Sequence, residues 1–349
     1  MDKPNQTSLH EALDLLQEIR DMERYDDADY RKLRREISRL HRRRVIKRFS
    51  LSAAAVIIPL IITGILMMTK QSHTDFDSLM SDNSPILELP DGKQVVIDFN
   101  VRDNVIAEAA SLSVKVDDGV LTYEKKGEVT ELLFHTLRLP KGTPCYEMAL
   151  EDGTRVWLHA DSKLTFPSVF PEGERRVYVE GEAYFEVTHD KQKPFIVSTD
   201  NQLVTVIGTK FNISAYADES NIVTTLIAGS VAISDQEGEN RTVLSPGQQS
   251  VFDRQTGLLT VSTVETDNYS AWKEGLINVE KQTLEEIVHA LSRLYNVAFV
   301  FMDESSKSIT YRGCIPKYEK LTDVLKAIET GSPVEFGTSG QMVTITHKP

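Results

Sequence analysis

The chain has 349 residues, is 40% hydrophobic, and sets 39 Lys and Arg against 52 Asp and Glu, a net charge of −13 at pH 7. Excess negative charge repels phosphate backbones, which excludes direct nucleic-acid binding by the acidic part of the chain. Only two cysteines, Cys145 and Cys314, are present and no Cys or His cluster has ligand spacing, so no disulfide framework, metal or other cofactor is expected.

Residues 1–48 hold 13 basic and 10 acidic side chains, whereas the remainder holds 26 and 42. After a possible capping box at Ser8 and Glu11, Leu9, Leu13, Leu16, Ile19 and Met22 recur mostly every three or four residues, and Tyr30, Leu33, Ile37 and Leu40 continue that spacing. This predicts a helical segment with one apolar face. So short a segment buries little core of its own, which makes Leu13, Leu16, Ile19, Leu33 and Ile37 the candidate partner-binding surface.

Residues 49–68, FSLSAAAVIIPLIITGILMM, carry no charge over twenty positions and reach across roughly 30 Å of hydrocarbon as a helix. Ten Lys and Arg between positions 31 and 48 precede this span, and Lys70 alone follows it before Asp75 and Asp77. The positive-inside rule then places residues 1–48 in the cytoplasm and the rest outside it, on a protein that crosses the membrane once. A cleaved signal peptide fits less well: its charged leader is short, and a small-x-small site should replace MMTKQSH.

Residues 69–84 are polar and form a linker. From 85 to 268 strand follows strand, and an all-β sandwich or jelly-roll-like domain is expected. The clearest is 175–188, where Val177, Val179, Gly181, Ala183, Phe185 and Val187 alternate with Arg176, Tyr178, Glu180, Glu182, Tyr184 and Glu186. Further strands are expected at 194–199, 203–207, 211–216, 223–228, 230–234 and 248–252. A hairpin is written twice, Leu87-x-Leu89-Pro90-Asp91-Gly92 and Met148-x-Leu150-Glu151-Asp152-Gly153, with Asp and Gly supplying positive φ at each turn. Residues 269–349 change to a β-α-β-β-α-β-β order, a small α+β domain with helices over 284–295 and 321–329 and strands at 275–279, 297–302, 308–311, 334–336 and 342–345.

These residues offer three candidate chemistries. Glu180, Glu182 and Glu186 share a strand face, and a glycosidase needs two carboxylates, but alternating polar residues are ordinarily a strand's solvent face. His135, His159, His189, His289 and His347 are scattered without a nucleophile elbow or zinc motif and read as surface or satisfied side chains. A glycan-binding module would display aromatic platforms, yet Trp157 and Trp272 are the only tryptophans and Trp157 sits among apolar hairpin residues. No enzyme activity is expected; a membrane-anchored periplasmic glycan-binding protein or enzyme is the alternative.

The hairpin Asp152-Gly153-Thr154-Arg155-Val156-Trp157-Leu158 with Ser162-Lys163-Leu164 after it is followed by Glu180-Gly181-Glu182-Ala183-Tyr184-Phe185-Glu186-Val187. Then come Pro194-Phe195-Ile196-Val197, Gly208-Thr209-Lys210-Phe211-Asn212-Ile213 and Pro246-Gly247-Gln248-Gln249. In this order they resemble the FecR family of sigma-factor regulators. The part from Trp272-Lys273-Glu274-Gly275 onward is similar to the companion domain of FecR-like proteins beside polysaccharide-uptake transporters and to the secretin and TonB short N-terminal domain. The resemblance implies a transmembrane anti-sigma factor: an extracytoplasmic-function sigma factor held on the cytoplasmic side, and a signal received from the signalling domain of a TonB-dependent outer-membrane transporter, regulating glycan or iron uptake genes. Many relatives carry a longer, tryptophan-containing cytoplasmic domain, which residues 1–48 lack. The resemblance also marks Gly208-Thr209 as a possible self-cleavage step, since a Thr hydroxyl can attack the preceding carbonyl where the backbone is strained; a plain bend before a strand is the structural reading of the same residues.

Overall fold

A computed structural model describes residues 84–98, 104–109, 112–117, 120–125, 132–317 and 320–348. The face at Leu13, Leu16, Ile19, Leu33 and Ile37, the apolar span 49–68 and the linker up to 83 lie outside the described residues. Among the described residues no helix is long and apolar enough to cross a membrane.

The first domain is built from strands alone: β1 (Ile86–Glu88), β2 (Gln94–Val96), β3 (Asn104–Ala109), β4 (Leu112–Asp117), β5 (Val120–Lys125), β6 (Phe134–Leu139), β7 (Tyr146–Ala149), β8 (Arg155–Leu158) and β9 (Ser162–Pro167) lead into β10 (Arg175–Glu186). Then follow β11 (Phe195–Ser198), β12 (Leu203–Val206), β13 (Lys210–Ala215), β14 (Asn221–Ala228), β15 (Val231–Ser234), β16 (Thr242–Leu244), β17 (Gln248–Asp253) and β18 (Leu259–Thr263). The first sheet runs β2-β1-β6-β9-β10-β11-β12-β15-β16, and the second β3-β4-β5-β7-β8-β10-β13-β14-β17-β18.

β10 belongs to both sheets. Its first half pairs with β9 and β11, and its second half, from Gly181, pairs with β8 and β13. Gly181 is the corner: its φ is +96°, and a Cβ there would fall 2.7 Å from the Cα of Ser162. The apolar residues of β10 point inward as the alternation predicts, and one core joins the sheets, with Phe185 stacked on Phe211 at 5.0 Å and tilted on Phe195 at 5.9 Å. Each such buried ring contributes about 1.5–3 kcal/mol.

The two copies of the hairpin adopt one geometry. Leu89 N donates to Lys93 O and Gly92 N to Leu89 O; Leu150 N donates to Thr154 O and Gly153 N to Leu150 O. Only the glycines, at φ +84° and +80°, have positive φ. Asp91 and Asp152 instead accept from the N–H two residues on, at 2.9 and 3.0 Å, so the Asp holds a three-residue loop rather than supplying the left-handed residue.

The C-terminal module starts with a 3₁₀ turn, Ala271–Glu274, and β19 (Leu276–Asn278). It continues with α1 (Leu284–Tyr295), β20 (Ala298–Phe301), β21 (Cys314–Pro316), α2 (Leu321–Glu329), β22 (Val334–Ser339) and β23 (Met342–His347). α1 starts at a capping box: Thr283 accepts from Glu286 N at 3.3 Å, and Glu286 accepts from Thr283 N at 2.8 Å. Leu284, Ile287, Val288, Leu291 and Leu294 of α1 face a core shared with Val324, Leu325 and Ile328 of α2. β19 pairs with β21, and β20-β23-β22 form a second small sheet.

The strand expected at 308–311 is not formed. Asp303 accepts from Ser305 N and caps a 3₁₀ turn over Glu304–Ser308, a local hydrogen-bonding alternative to a sheet ladder, and Thr310 makes a single bridge to Thr283. The strand forms later, at Cys314–Pro316.

Candidate functional site at the domain junction

The outer face of β10 was expected to meet solvent. Glu180 does, but Tyr184 is buried beneath Lys273 of the C-terminal module, and Glu182 keeps only 19% of its side-chain surface. The 3₁₀ turn places Lys273 Nζ 3.6 Å from the ring centre of Tyr184, 4.0 Å from that of Trp157 on β8, and 3.6 Å from Glu186 Oε1. Two aromatic faces and a carboxylate thus enclose one ammonium, an arrangement that favours the cation electrostatically. Arg155, paired with Glu147, covers Trp157 at 4.7 Å.

Beside that cage lies a buried polar cluster. His159 Nδ1 is 3.1 Å from the Tyr216 hydroxyl and 3.6 Å from Glu182 Oε2. Tyr216 donates to Ala160 O at 3.0 Å, Asn212 Nδ2 donates to Glu182 Oε1 at 2.9 Å, and Glu182 N donates to Ser162 Oγ at 2.8 Å. Trp272 closes the cluster edge-on, its ring 4.8 Å from that of His159. Burial pushes the Glu182 carboxyl up to about 7, against the Asn212 hydrogen bond that holds it down. Burial, with Lys317 and Arg293 nearby, pushes His159 down to about 3. Desolvation pushes the half-buried Cys145 thiol up to about 12.

A clasp completes the junction. Arg293 of α1, 3% exposed, donates to Asp218 at 2.7 Å and to Glu219 at 2.6 Å, and its guanidinium lies 3.7 Å from the centre of the Tyr216 ring. Its backbone carbonyl accepts from Gly142 N at 2.7 Å. Carboxylate pairing raises the Arg293 pKa further despite burial. Among the described residues no group of three or more His, Cys, Asp or Glu could hold a metal ion.

Gly208 and Thr209 lie elsewhere, in the bend between β12 and β13. Gly208 is outside the positive-φ region and packs on His189, where an added Cβ would come 2.4 Å from Nδ1. The Thr209 hydroxyl donates to Ser230 O at 2.9 Å, and Thr209 O accepts from Val187 N at 3.0 Å. Space rather than strain is what requires this glycine, which favours the structural reading of the step.

The sequence did not bring His159, Glu182, Tyr216, Trp272, Lys273 and Arg293 together. One signal was present: both tryptophans and an unexpected tyrosine, Tyr184, sit on surfaces that a solvent-facing strand would not need to cover.

Residues 145–232 match the family model described as FecR protein, and residues 276–345 the model described as FecR, C-terminal. The chain therefore carries the two FecR domains in order, one within the sandwich and one in the module. Two crystal structures of a proposed anti-sigma factor from Parabacteroides distasonis ATCC 8503 are similar in fold and sequence. One, at 25% identity, covers 61% of this chain and 99% of that one with a TM-score of 0.57. The other, at 26% identity, covers 62% and 99% with the same TM-score of 0.57. No curated protein matches the sequence.

Proposed function

We propose that the chain is a FecR-type transmembrane anti-sigma factor rather than an enzyme. Residues 1–48 hold an extracytoplasmic-function sigma factor in the cytoplasm, residues 49–68 cross the inner membrane, and the two described domains receive a periplasmic signal. The observation that carries this reading is the order of the parts: an apolar span behind ten basic residues, then a FecR domain, then a FecR C-terminal domain. The anti-sigma role borne by name by the Parabacteroides distasonis neighbours supports it. In the glycosidase alternative Glu182 would serve as a carboxylate, but it accepts from Asn212 at 2.9 Å and lies 3.6 Å from His159 within a buried cluster.

The signal is received, on this reading, at the free edge of β20 from the signalling domain of a TonB-dependent transporter. Among the described residues β20 pairs only with β23. Ala298 N and Met302 N point toward β23, so by strand alternation Phe299 N and Phe301 N point outward, beside a groove of about 740 Å³ lined by α1 and β20. A partner strand would add there.

The test is co-purification of the full-length chain from membranes with identification of what accompanies each side. Leu16→Asp together with Ile37→Asp should weaken sigma-factor capture more than tenfold, since each buried aliphatic contributes about 1.5–3 kcal/mol. Undiminished capture would remove that face from the interface. Labelling should reach a cysteine at Ser78 in intact cells and miss one at Ser38; the reverse pattern overturns the orientation. Phe299→Pro, which deletes an outward N–H, should abolish the response to the inducing nutrient without lowering the melting temperature of the sandwich. For Gly208-Thr209, a single full-length band from denatured wild type leaves the step structural, whereas two bands that Thr209→Ala merges into one establish cleavage.

A further inference from the structure

We infer that Trp157, Tyr184 and Glu186 form an ammonium-recognition site on the sandwich, filled in cis by Lys273 and able to take a free quaternary ammonium ligand when Lys273 is absent. The inference concerns what this face of the sandwich recognises and stands apart from which partners the chain takes.

Strand register builds the site. Trp157 on β8 stands directly opposite Tyr184 on β10, and their rings meet at 71° with centres 5.7 Å apart. The Lys273 ammonium lies over both rings, 3.6 Å from the centre of Tyr184 and 4.0 Å from that of Trp157. Glu186 follows Tyr184 by two positions and so shares its face of β10, which brings Oε1 within 3.6 Å of the same Nζ.

The neighbouring charges show what selects the occupant. Glu186 Oε2 already holds Lys210, its opposite on β13, at 3.2 Å, and Glu147 holds Arg155 at 2.7 Å. Both carboxylates beside the rings are therefore paired without Lys273, and what Lys273 gains here beyond a shared carboxylate is two aromatic faces. A ring quadrupole attracts a cation whether or not it carries N–H groups, so a methylated ammonium satisfies the site and a neutral group of the same shape gains packing alone. Burial draws the Lys273 pKa down while the Glu186 carboxylate draws it up, and the ring faces act with Glu186.

The occupant comes from the first turn of the module. Ala271–Glu274 lays two consecutive side chains on the sandwich, Trp272 against His159 and Lys273 against Trp157, and Gly275 closes the turn at φ +77° with its N–H donating to Trp272 O at 3.1 Å. Lys273 keeps 17% of its side-chain surface, so the rim of the site meets solvent. A free ammonium can then contest the contact, and occupancy of the cage and seating of the turn are linked by mass action.

The chain's two tryptophans, Trp157 and Trp272, both lie at this junction, so tryptophan emission reports on the cage in the full-length protein in maltoside micelles. Choline titrated into Lys273→Ala at constant ionic strength should change that emission saturably. The neutral analogue of choline, with tert-butyl in place of trimethylammonium, should need at least ~tenfold more. Wild type, with its cage filled, should not respond over the same range, and Trp157→Leu combined with Lys273→Ala should lose the response. A second measurement needs no added ligand: hydrogen-exchange protection factors across Ala271–Glu274 give the opening constant of the turn. Lys273→Met, which keeps the stem and drops the charge, should raise that constant roughly tenfold, and Lys273→Arg, which returns a cation to the ring faces, should restore it. Equal potency of choline and its neutral analogue overturns the site, as does the absence of a saturable response in Lys273→Ala. So does an unchanged opening constant in Lys273→Met, a result that stands even where Lys273→Ala fails to fold.

Discussion

Arg175 and Arg293 are the buried arginines of the described residues, 1% and 3% exposed, and they differ in what they hold. Arg175, on β10, donates to Asp152 Oδ2 at 2.6 Å, to Thr188 O at 2.8 Å and to Lys193 O at 2.8 Å, all within the sandwich. Its guanidinium also lies 5.4 Å from the centre of the Phe195 ring. Arg293 belongs to the C-terminal module, yet its carboxylate partners belong to the sandwich. The sandwich therefore closes on its own hydrogen bonds, whereas the module depends on its neighbour for the partners of its most buried charge. Beside that clasp the junction carries aromatic contacts, Trp272 on His159 and Lys273 on Trp157 and Tyr184, and Ala160 of the sandwich packs in the module's core.

The largest effect should come from breaking the closed side of this comparison. Arg175→Met removes the cation from Asp152, which is 12% exposed, and strands its carboxylate against the core. Losing one partner of a buried pair costs about 3–5 kcal/mol. Global unfolding of the sandwich, followed by urea denaturation, should shift by that amount; a shift under about 1 kcal/mol would mean that Asp152 finds water instead.

How much of this was legible in the sequence depended on how local the cause was. The helices at Leu284–Tyr295 and Leu321–Glu329 have the expected bounds because the apolar spacing that writes them is contained in the segment itself. The repeated hairpin was legible for the same reason. β10 was expected as one strand on one sheet, and its division between two sheets depends on Ser162 approaching Gly181, which no pattern within the strand records. β3 to β6, β16 and β18 were not read individually, because short strands with exposed or charged faces, such as Leu259–Thr263, lack clean alternation. The junction was legible least. A side chain at an outward position, such as Tyr184, has the same pattern whether water or another domain covers it, and the residue that covers it, Lys273, lies far along the chain.

The open side of the comparison should yield more gently. Arg293→Met leaves Asp218 and Glu219 behind, but their side chains are 64% and 29% exposed and can be rehydrated. The loss is then about 2 kcal/mol, below that for a fully buried pair. It should fall on docking alone: protection of α1 and the Ala271–Glu274 turn against hydrogen exchange should drop together while the core strands β10 and β13 keep theirs. A uniform loss of protection across both domains would show instead that sandwich and module unfold as one cooperative unit.

The smallest effect should arise at the first turn of α1, at the opposite end of the helix from Arg293. The Thr283 hydroxyl accepts from the free N–H of Glu286, and Glu286 returns a hydrogen bond to Thr283 N. Thr283→Ala leaves the reciprocal Glu286 bond in place but orphans the Glu286 amide, at a cost of about 1 kcal/mol. Because α1 also carries Arg293, two outcomes separate. If the module folds independently of its docking, Thr283→Ala should destabilise α1 locally and leave the opening constant at Ala271–Glu274 unchanged. If the clasp holds α1 in register, the same variant should raise that opening constant by roughly fivefold, the equivalent of 1 kcal/mol. Combining it with Arg293→Met decides between them, since coupled residues give a double variant whose cost departs from the sum of the single ones by 0.5 kcal/mol or more, on the order expected for interacting sites.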